Sequence, residues 1–315
     1  MHITPIGFGA WQIGGDRNWT GPTTPRAQHI GPSDDREALA AVHRALELGV
    51  NWIDTAPGYG AGHSEELIGR ALRDVASRPY IFTKCGFVWD EQRRISNDLS
   101  PGSIRREVDQ SLRRLGVDVL DLYQIHWVEP QWDQGIEAAW STLAELKAAG
   151  KVRHIGVCNF TVPQLARAGA IAPVETLQPR YSLLARDVED ELLPFAESVD
   201  IGVIVYSPMQ SGLLTGAMTR ERAFNLPAND GRRFDPNYAE PLLSANLEHV
   251  DELSGLAAPG GYTAGQLAVA WTLRRQEVAG AIVGFRRPEQ VDGMLRRPVF
   301  ALDSEQLAAI DSIAW

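Results

Sequence analysis

Cysteine is scarce. Cys85 and Cys158 are the only two in 315 residues, so no disulfide framework is expected and a reducing, cytoplasmic setting is. Long hydrophobic runs are missing too, the apolar stretches being strand-sized, which excludes a membrane-spanning helix. The N-terminus, Met1-His2-Ile3-Thr4-Pro5, has no basic segment leading into an apolar one, so no secretion signal is read there. Positive charge is in deficit, 30 Lys and Arg against 40 Asp and Glu, for a net charge of −10. That balance disfavours nucleic acid or an anionic membrane as partner, and an anionic ligand would need a local basic patch. A dinucleotide fingerprint is also lacking. Gly7-Phe8-Gly9-Ala10-Trp11-Gln12 has no third glycine, and Gly58-Tyr59-Gly60-Ala61-Gly62 fails the spacing. What is plentiful is apolar side chains, 44% of the chain, enough for a packed core.

Apolar runs and helical faces alternate eight times. Strands are expected at Ile3 to Gly9, around Asn51 to Asp54, and at Tyr80 to Lys84, Val119 to Ile125, Val152 to Cys158, Val174 to Gln178, Gly202 to Tyr206 and Ala281 to Val283. Between them lie helical patterns with recognisable starts. Ser100 and Pro101 read as N-cap and first helical residue, and Thr161 with Gln164 as a capping box. Phe87 to Trp89 reads as an aromatic loop, and a long polar insertion runs from Ser207 to about Pro241. Helices are expected near Ala264 to Arg275, from Pro288, and at Ser304 to Ile313. Alternating strand and helix with strands apolar enough for burial on both faces calls for a parallel sheet. Eight units point to an α/β fold, one (β/α)8 TIM barrel domain over residues 1–315, in preference to a doubly wound sheet.

A barrel gathers the carboxyl ends of its strands on one face, where chemistry sits. These ends present Asp54, Lys84, His126, Asn159, Gln178, Tyr206 and Gly284, with Tyr59 on the Gly/Pro turn above the second strand. Singly, most have a plainer explanation: an Asp caps a helix, a His satisfies a core. Lys84 is harder to dismiss, because a lysine ending a buried strand is costly unless paired. Paired with Asp54 on the adjacent strand, its ammonium would favour phenolate at Tyr59 and lower a pKa ordinarily about 10. Tyr59 would then be a general acid near neutral pH, with His126 donating a hydrogen bond to the oxygen being protonated. Metal-dependent hydrolysis would need clustered His and carboxylate ligands at strand ends, and only His126 qualifies. Late in the chain, Arg286 and Arg287 at a helix start suit a phosphate.

Asp54, Tyr59, Lys84 and His126, reached in this order, match the catalytic tetrad of the aldo-keto reductases. The chain resembles that superfamily over nearly its whole length, in Gly9-Ala10-Trp11, Trp52-Ile53-Asp54-Thr55-Ala56, Phe82-Thr83-Lys84, Asp121 to His126, Gly150 to Asn159-Phe160, Tyr206-Ser207-Pro208-Met209 and Gly284 with Arg286 to Gln290. It looks most like bacterial reductases of the potassium-channel-β-like branch. The resemblance implies reduction of a small carbonyl substrate by NADPH without a metal. Nicotinamide would lie on Tyr206, its carboxamide held by Asn159 and Gln178 beside Cys158, where the family usually has serine. The loop Ser207-Pro208-Met209-Gln210-Ser211 would cover the pyrophosphate, and Gly284, Arg286 and Gln290 would hold the adenosine phosphate. Trp11 and Asp54 complete the implied cofactor contacts. Arg286 and Arg287 favour NADPH over NADH, which stays the alternative because Gly293-Met294 replaces a Glu-Asn pair.

Trp11, Trp19, Phe87, Trp89 and Trp127, with Arg232, Arg233 and Tyr238 from the insertion, are candidates for a substrate mouth, or for packing loops together. A cofactor-binding regulatory subunit with little turnover is the alternative function.

Overall fold

The computed structural model describes residues 1–15, 33–73, 75–92, 94–228, 230–297 and 301–315. Eight parallel strands close on themselves in the order β1, β8, β7, β6, β5, β4, β3, β2. They are β1 (Ile6–Gly9), β2 (Trp52–Asp54), β3 (Tyr80–Cys85), β4 (Leu120–Ile125), β5 (Val152–Cys158), β6 (Thr176–Gln178), β7 (Gly202–Tyr206) and β8 (Val278–Gly284). The expected barrel is therefore present, and closure leaves no strand edge unpaired. Helices pack around it, their starts set by local chemistry. Asp34 accepts from the N–H groups of Arg36 and Glu37, Ser100 from Ser103, and Thr161 with Gln164 forms the reciprocal box.

Some elements lie where the sequence reading placed none, among them the short helix Arg220–Phe224 inside the insertion. Phe87–Trp89 is not a loop but one arm of an antiparallel hairpin, paired with Ile95–Asn97, so that Phe87 stands opposite Asn97. Leu242–Ala257 is a helix, burying Leu243, Asn246, Val250, Leu253 and Ala257 along one face at helical spacing. It packs against the helix Ala264–Thr272 and the insertion before it.

Inward-facing side chains fill the barrel itself. Trp52, Phe82, Leu122, Ile204 and Ile282 form an interior cluster, with Ile3 and Tyr80 packed against it. The Trp52 indole donates to the carbonyl of Thr4 at 2.8 Å and lies 5.2 Å from the Phe82 ring. A side chain at Gly7 would overlap that indole at 2.3 Å, so glycine there is the room the tryptophan needs. The plug supports the plane on which Asp54, two residues above Trp52, is set. Trp52→Ala is expected to cost about 3–5 kcal/mol in urea unfolding, from lost burial and the cavity left behind.

Candidate active site

Parallel register puts Asp54 level with Gly9 on one side and Phe82 on the other. Its carboxylate is almost fully buried, and so is the ammonium of Lys84. The two meet at 2.6 Å. Lys84 Nζ also donates to the carbonyl of Thr55 at 2.9 Å and to the Tyr59 hydroxyl at 3.3 Å, so its three hydrogens have three acceptors. The other Asp54 oxygen accepts from Gln178 Nε2 at 2.9 Å. A buried charge pair is tolerated when the remaining hydrogen-bonding positions are filled in this way.

Tyr59 reaches Lys84 because its turn presses against the segment after β1. Gly60 has φ +66°, and a Cβ there would stand 1.9 Å from the carbonyl oxygen of Gly14. Only glycine allows that approach. The Tyr59 pKa departs from the sequence expectation. Burial pushes it above its ordinary value and outweighs the downward pull of Lys84, while Asp54 adds a further upward push. Burial is the main cause, and Asp54 offsets part of the lysine charge that would have stabilised phenolate. Lys84 shows the complement. Burial opposes its charge, yet Asp54 and Tyr59 hold its pKa above the usual value.

His126 follows β4, its ring edge-on to Phe87 at 4.9 Å and to Tyr59 at 5.6 Å. Burial, then Lys84, takes its pKa well below the usual value, so the imidazole is neutral. Its Nδ1 is buried without a hydrogen-bond partner among the described residues. Asn159, in the left-handed region at φ +57°, donates to the His126 carbonyl at 3.2 Å and accepts from the Tyr206 hydroxyl at 2.9 Å. Cys158 is level with Gln178, and burial raises its thiol pKa, so it stays protonated. The strand ends thus converge as read from the sequence, with Asn159 and Gln178 already engaged by Tyr206, His126 and Asp54.

After β7, Ser207, Gln210 and Ser211 all have positive φ, at 56°, 47° and 53°. Each such non-glycine residue costs on the order of 1–3 kcal/mol and persists only where its surroundings enforce it. Enforcement comes from behind. The buried Tyr238 hydroxyl lies 3.1 and 3.0 Å from the Gln210 and Ser211 carbonyls, and Gln210 Nε2 donates to Asp235 at 3.1 Å. Tyr238 is therefore a support for this loop rather than a residue of the mouth. Pro208 is buried and Met209 packs against the main core.

Arg286 lies two residues after β8, and its backbone N–H is capped by Gln290 Oε1 at 2.8 Å. Its Nη2 is buried and unpartnered among the described residues. Burial and the charges of Arg232, Arg287 and Arg222 lower its pKa, with Asp230 opposing. Arg232 is locked on the buried Asp230 by contacts of 2.9 and 2.7 Å. It thus belongs with this arginine cluster, a local basic patch on an acidic chain. Gln12 had no motif to mark it; it sits on the turn after β1, beside Gly284 across the β1–β8 pair, with a buried Oε1 that has no partner among the described residues. Strand adjacency in the closed barrel is the signal that finds it.

The aromatic residues divide. Phe87 touches His126, Trp89 lies under the Arg114 guanidinium at 5.4 Å, Trp127 is 39% exposed, and Trp11 is half-buried. Trp19 lies outside the described residues.

A buried lysine clasping a tyrosine hydroxyl beside a neutral histidine, at the carboxyl end of an eight-stranded barrel, defines a site for protonating an oxygen. The sequence profile of the Aldo/keto reductase family matches residues 5–314, and the chain belongs to that family. It is 35% identical to the Bacillus subtilis aldo-keto reductase YhdN, over 99% of this chain and 90% of that one. To the NADH-specific methylglyoxal reductase of Escherichia coli it is 34% identical, over 92% and 88%. Among solved structures, a glycerol dehydrogenase of Gluconobacter oxydans superposes with a TM-score of 0.86 at 36% identity, covering 99% and 91%. A Klebsiella pneumoniae aldo-keto reductase in complex with NADPH gives 0.72 at 25% identity, covering 98% and 90%. The activity of this chain is NAD(P)H-dependent carbonyl reduction. No helix among the described residues is long and apolar enough to cross a membrane.

Under the hairpin, the buried Glu107 accepts from the Gly86 N–H at 2.9 Å and from Ser103 Oγ at 3.1 Å. Burial pushes its pKa from 4.5 up to about 7, against those two hydrogen bonds. The folded chain therefore holds this proton more tightly than the unfolded one. The stabilisation is fully present below pH 4.5 and is lost as pH rises through about 7. Glu107→Gln is expected to flatten the fall of Tm across that window relative to the parent, an effect on the order of 3 kcal/mol at most.

Proposed function

We propose that residues 1–315 act as one cytoplasmic domain that reduces a small aldehyde or ketone with NADPH, Tyr59 delivering the proton. The observation that carries this reading is the Lys84 ammonium held by Asp54 at 2.6 Å and placed 3.3 Å from the Tyr59 hydroxyl. When bound, the nicotinamide cofactor supplies a hydride to the carbonyl carbon. As charge develops on the carbonyl oxygen, Tyr59 transfers its proton to it. An alkoxide is a stronger base than a phenolate, so the raised pKa of Tyr59 keeps the proton available without preventing its transfer. Lys84 then stabilises the phenolate, and Asp54 keeps Lys84 charged and in place. The neutral His126 donates its ring N–H to the same oxygen and orients it.

The cofactor's adenosine end is supported by the unpartnered Arg286 Nη2 within the arginine cluster, which suits the 2′-phosphate of NADPH. The left-handed backbone of Ser207, Gln210 and Ser211 leaves N–H groups unusually oriented beside this region and suits the pyrophosphate. Tyr206, Asn159, Gln178 and Cys158 line the nicotinamide side, with Trp11, Met209, Pro208, Gly284 and Gln290 around it. Phe87, Trp89 and Trp127 form the substrate side.

Purified protein is expected to bind NADPH, by change in cofactor fluorescence, and to consume it with an aldehyde. In Tyr59→Phe turnover should fall about 10²–10⁴-fold with NADPH affinity retained. Tight binding without turnover in the parent would favour a regulatory role instead. Because Tyr59 titrates above its ordinary 10.0, reduction should show no decline from loss of its proton between pH 7 and 10. Arg286→Ala is expected to weaken NADPH roughly tenfold or more while leaving NADH little changed; equal effects on both would remove the 2′-phosphate assignment.

A further inference from the structure

Two segments flank the site: Gly86 with the short antiparallel hairpin it leads into, and residues 126–129 after β4. Both meet at Asn97, the last residue of the hairpin, which is 7% exposed. Its Nδ2 donates to the carbonyl of Gly86 at 2.6 Å and to the carbonyl of Trp127 at 3.1 Å. Its Oδ1 accepts from the Glu129 N–H at 3.3 Å, and its own carbonyl accepts from the Trp132 indole at 2.7 Å.

The placement of these partners matters. Gly86 immediately precedes Phe87, and Trp127 immediately follows His126. One amide group therefore spans the carbonyls flanking the two residues whose rings meet at 4.9 Å. We infer that Asn97 is a positioning residue, which sets the His126 imidazole and the Phe87 ring at the substrate side of the site. The inference rests on the carbonyl-reductase reading for its kinetic consequence, but not for its geometry. No other residue type of this size supplies two donors and an acceptor in one plane. Alanine removes the side-chain amide from both carbonyls and from the Glu129 N–H, leaving the Gly86 carbonyl only its bond from the Asp98 N–H. Aspartate keeps the acceptor but, when ionised, sets negative charge against two carbonyl oxygens.

The cofactor residues proposed above come mainly from β5 to β8 and the loops after them, so an error at Asn97 should fall on the carbonyl substrate and spare the cofactor. The test compares full-length Asn97→Ala and Asn97→Asp with the parent, using NADPH fluorescence titration, steady-state kinetics with one aldehyde, and amide hydrogen exchange. The expected result is a fall in kcat/KM for the aldehyde of about tenfold or more, with NADPH affinity within about twofold of the parent. Exchange should rise in both Gly86–Asp98 and Trp127–Glu129 and stay unchanged at Gly202–Ser211. In Asn97→Asp, part of the lost kcat/KM should return as pH falls and the carboxyl protonates, a response that Asn97→Ala lacks. Unchanged kcat/KM in both variants would overturn the inference, as would loss of aldehyde turnover and NADPH binding in equal measure. A parent that binds NADPH but reduces no aldehyde would instead count against the functional reading. The exchange pattern would then decide on Asn97: protection lost in both segments together supports the clasp, and protection lost in neither or everywhere refutes it.

Discussion

One buried ion pair governs the rest of this site. Asp54 and Lys84 lie on adjacent strands, nearly out of contact with solvent, at 2.6 Å. Burying two charges costs several kcal/mol per ion, and mutual attraction returns that only with every other donor and acceptor filled. Thr55, Tyr59 and Gln178 fill them. The arrangement requires Tyr59 to be present, which in turn requires its turn to seat against Gly14, where Gly60 makes room. Below, the Trp52 plug sets the height at which Asp54 ends its strand. Fold and chemistry are thus joined at a pair of the kind that contributes little net stability once its burial is counted, and that has a chemical reason to be kept.

Burial, with the pair in a lesser role, explains why the electrostatics differ from the simplest expectation. A lone lysine would pull a tyrosine toward phenolate. A lysine already neutralised by an aspartate does so weakly, and burial then dominates, leaving Tyr59 protonated and His126 neutral. The resting site therefore holds its protons until charge develops on a substrate oxygen. Away from it, positive charge is concentrated around Arg286, so the two ends of the proposed cofactor site differ in kind. One end is a buried and internally balanced network, and the other a cationic cluster with an unpartnered nitrogen.

Most of the barrel was legible in the amino-acid sequence, because its strands are apolar runs and its helices announce their caps. Val152–Cys158 and Gly202–Tyr206 match the sequence reading residue for residue. Most residues that share the site were legible for the same reason, since they end or directly follow a strand, while Tyr59 stands on the turn after β2. What escaped has physical causes. The Ile95–Asn97 arm is three residues long and gains its identity only by pairing across to Phe87–Trp89. Leu242–Ala257 carries Asn246 on its buried face and follows a polar insertion, which masks its period. Arg232 and Tyr238 looked like mouth residues because their partners, Asp230 and the strained 210–211 carbonyls, are apparent only in three dimensions.

The central claim is that the Asp54–Lys84 pair exists for proton transfer and not for folding. Its most direct test is the Asp54→Asn, Lys84→Met double variant, followed by thermal unfolding and by single-turnover reduction of an aldehyde with NADPH. Either substitution alone should destabilise by about 3–5 kcal/mol, since it strands a buried partner. The double variant should recover much of the parent's Tm while its reduction rate stays at least about 10²-fold down. A double variant with restored stability and parental turnover would contradict the account.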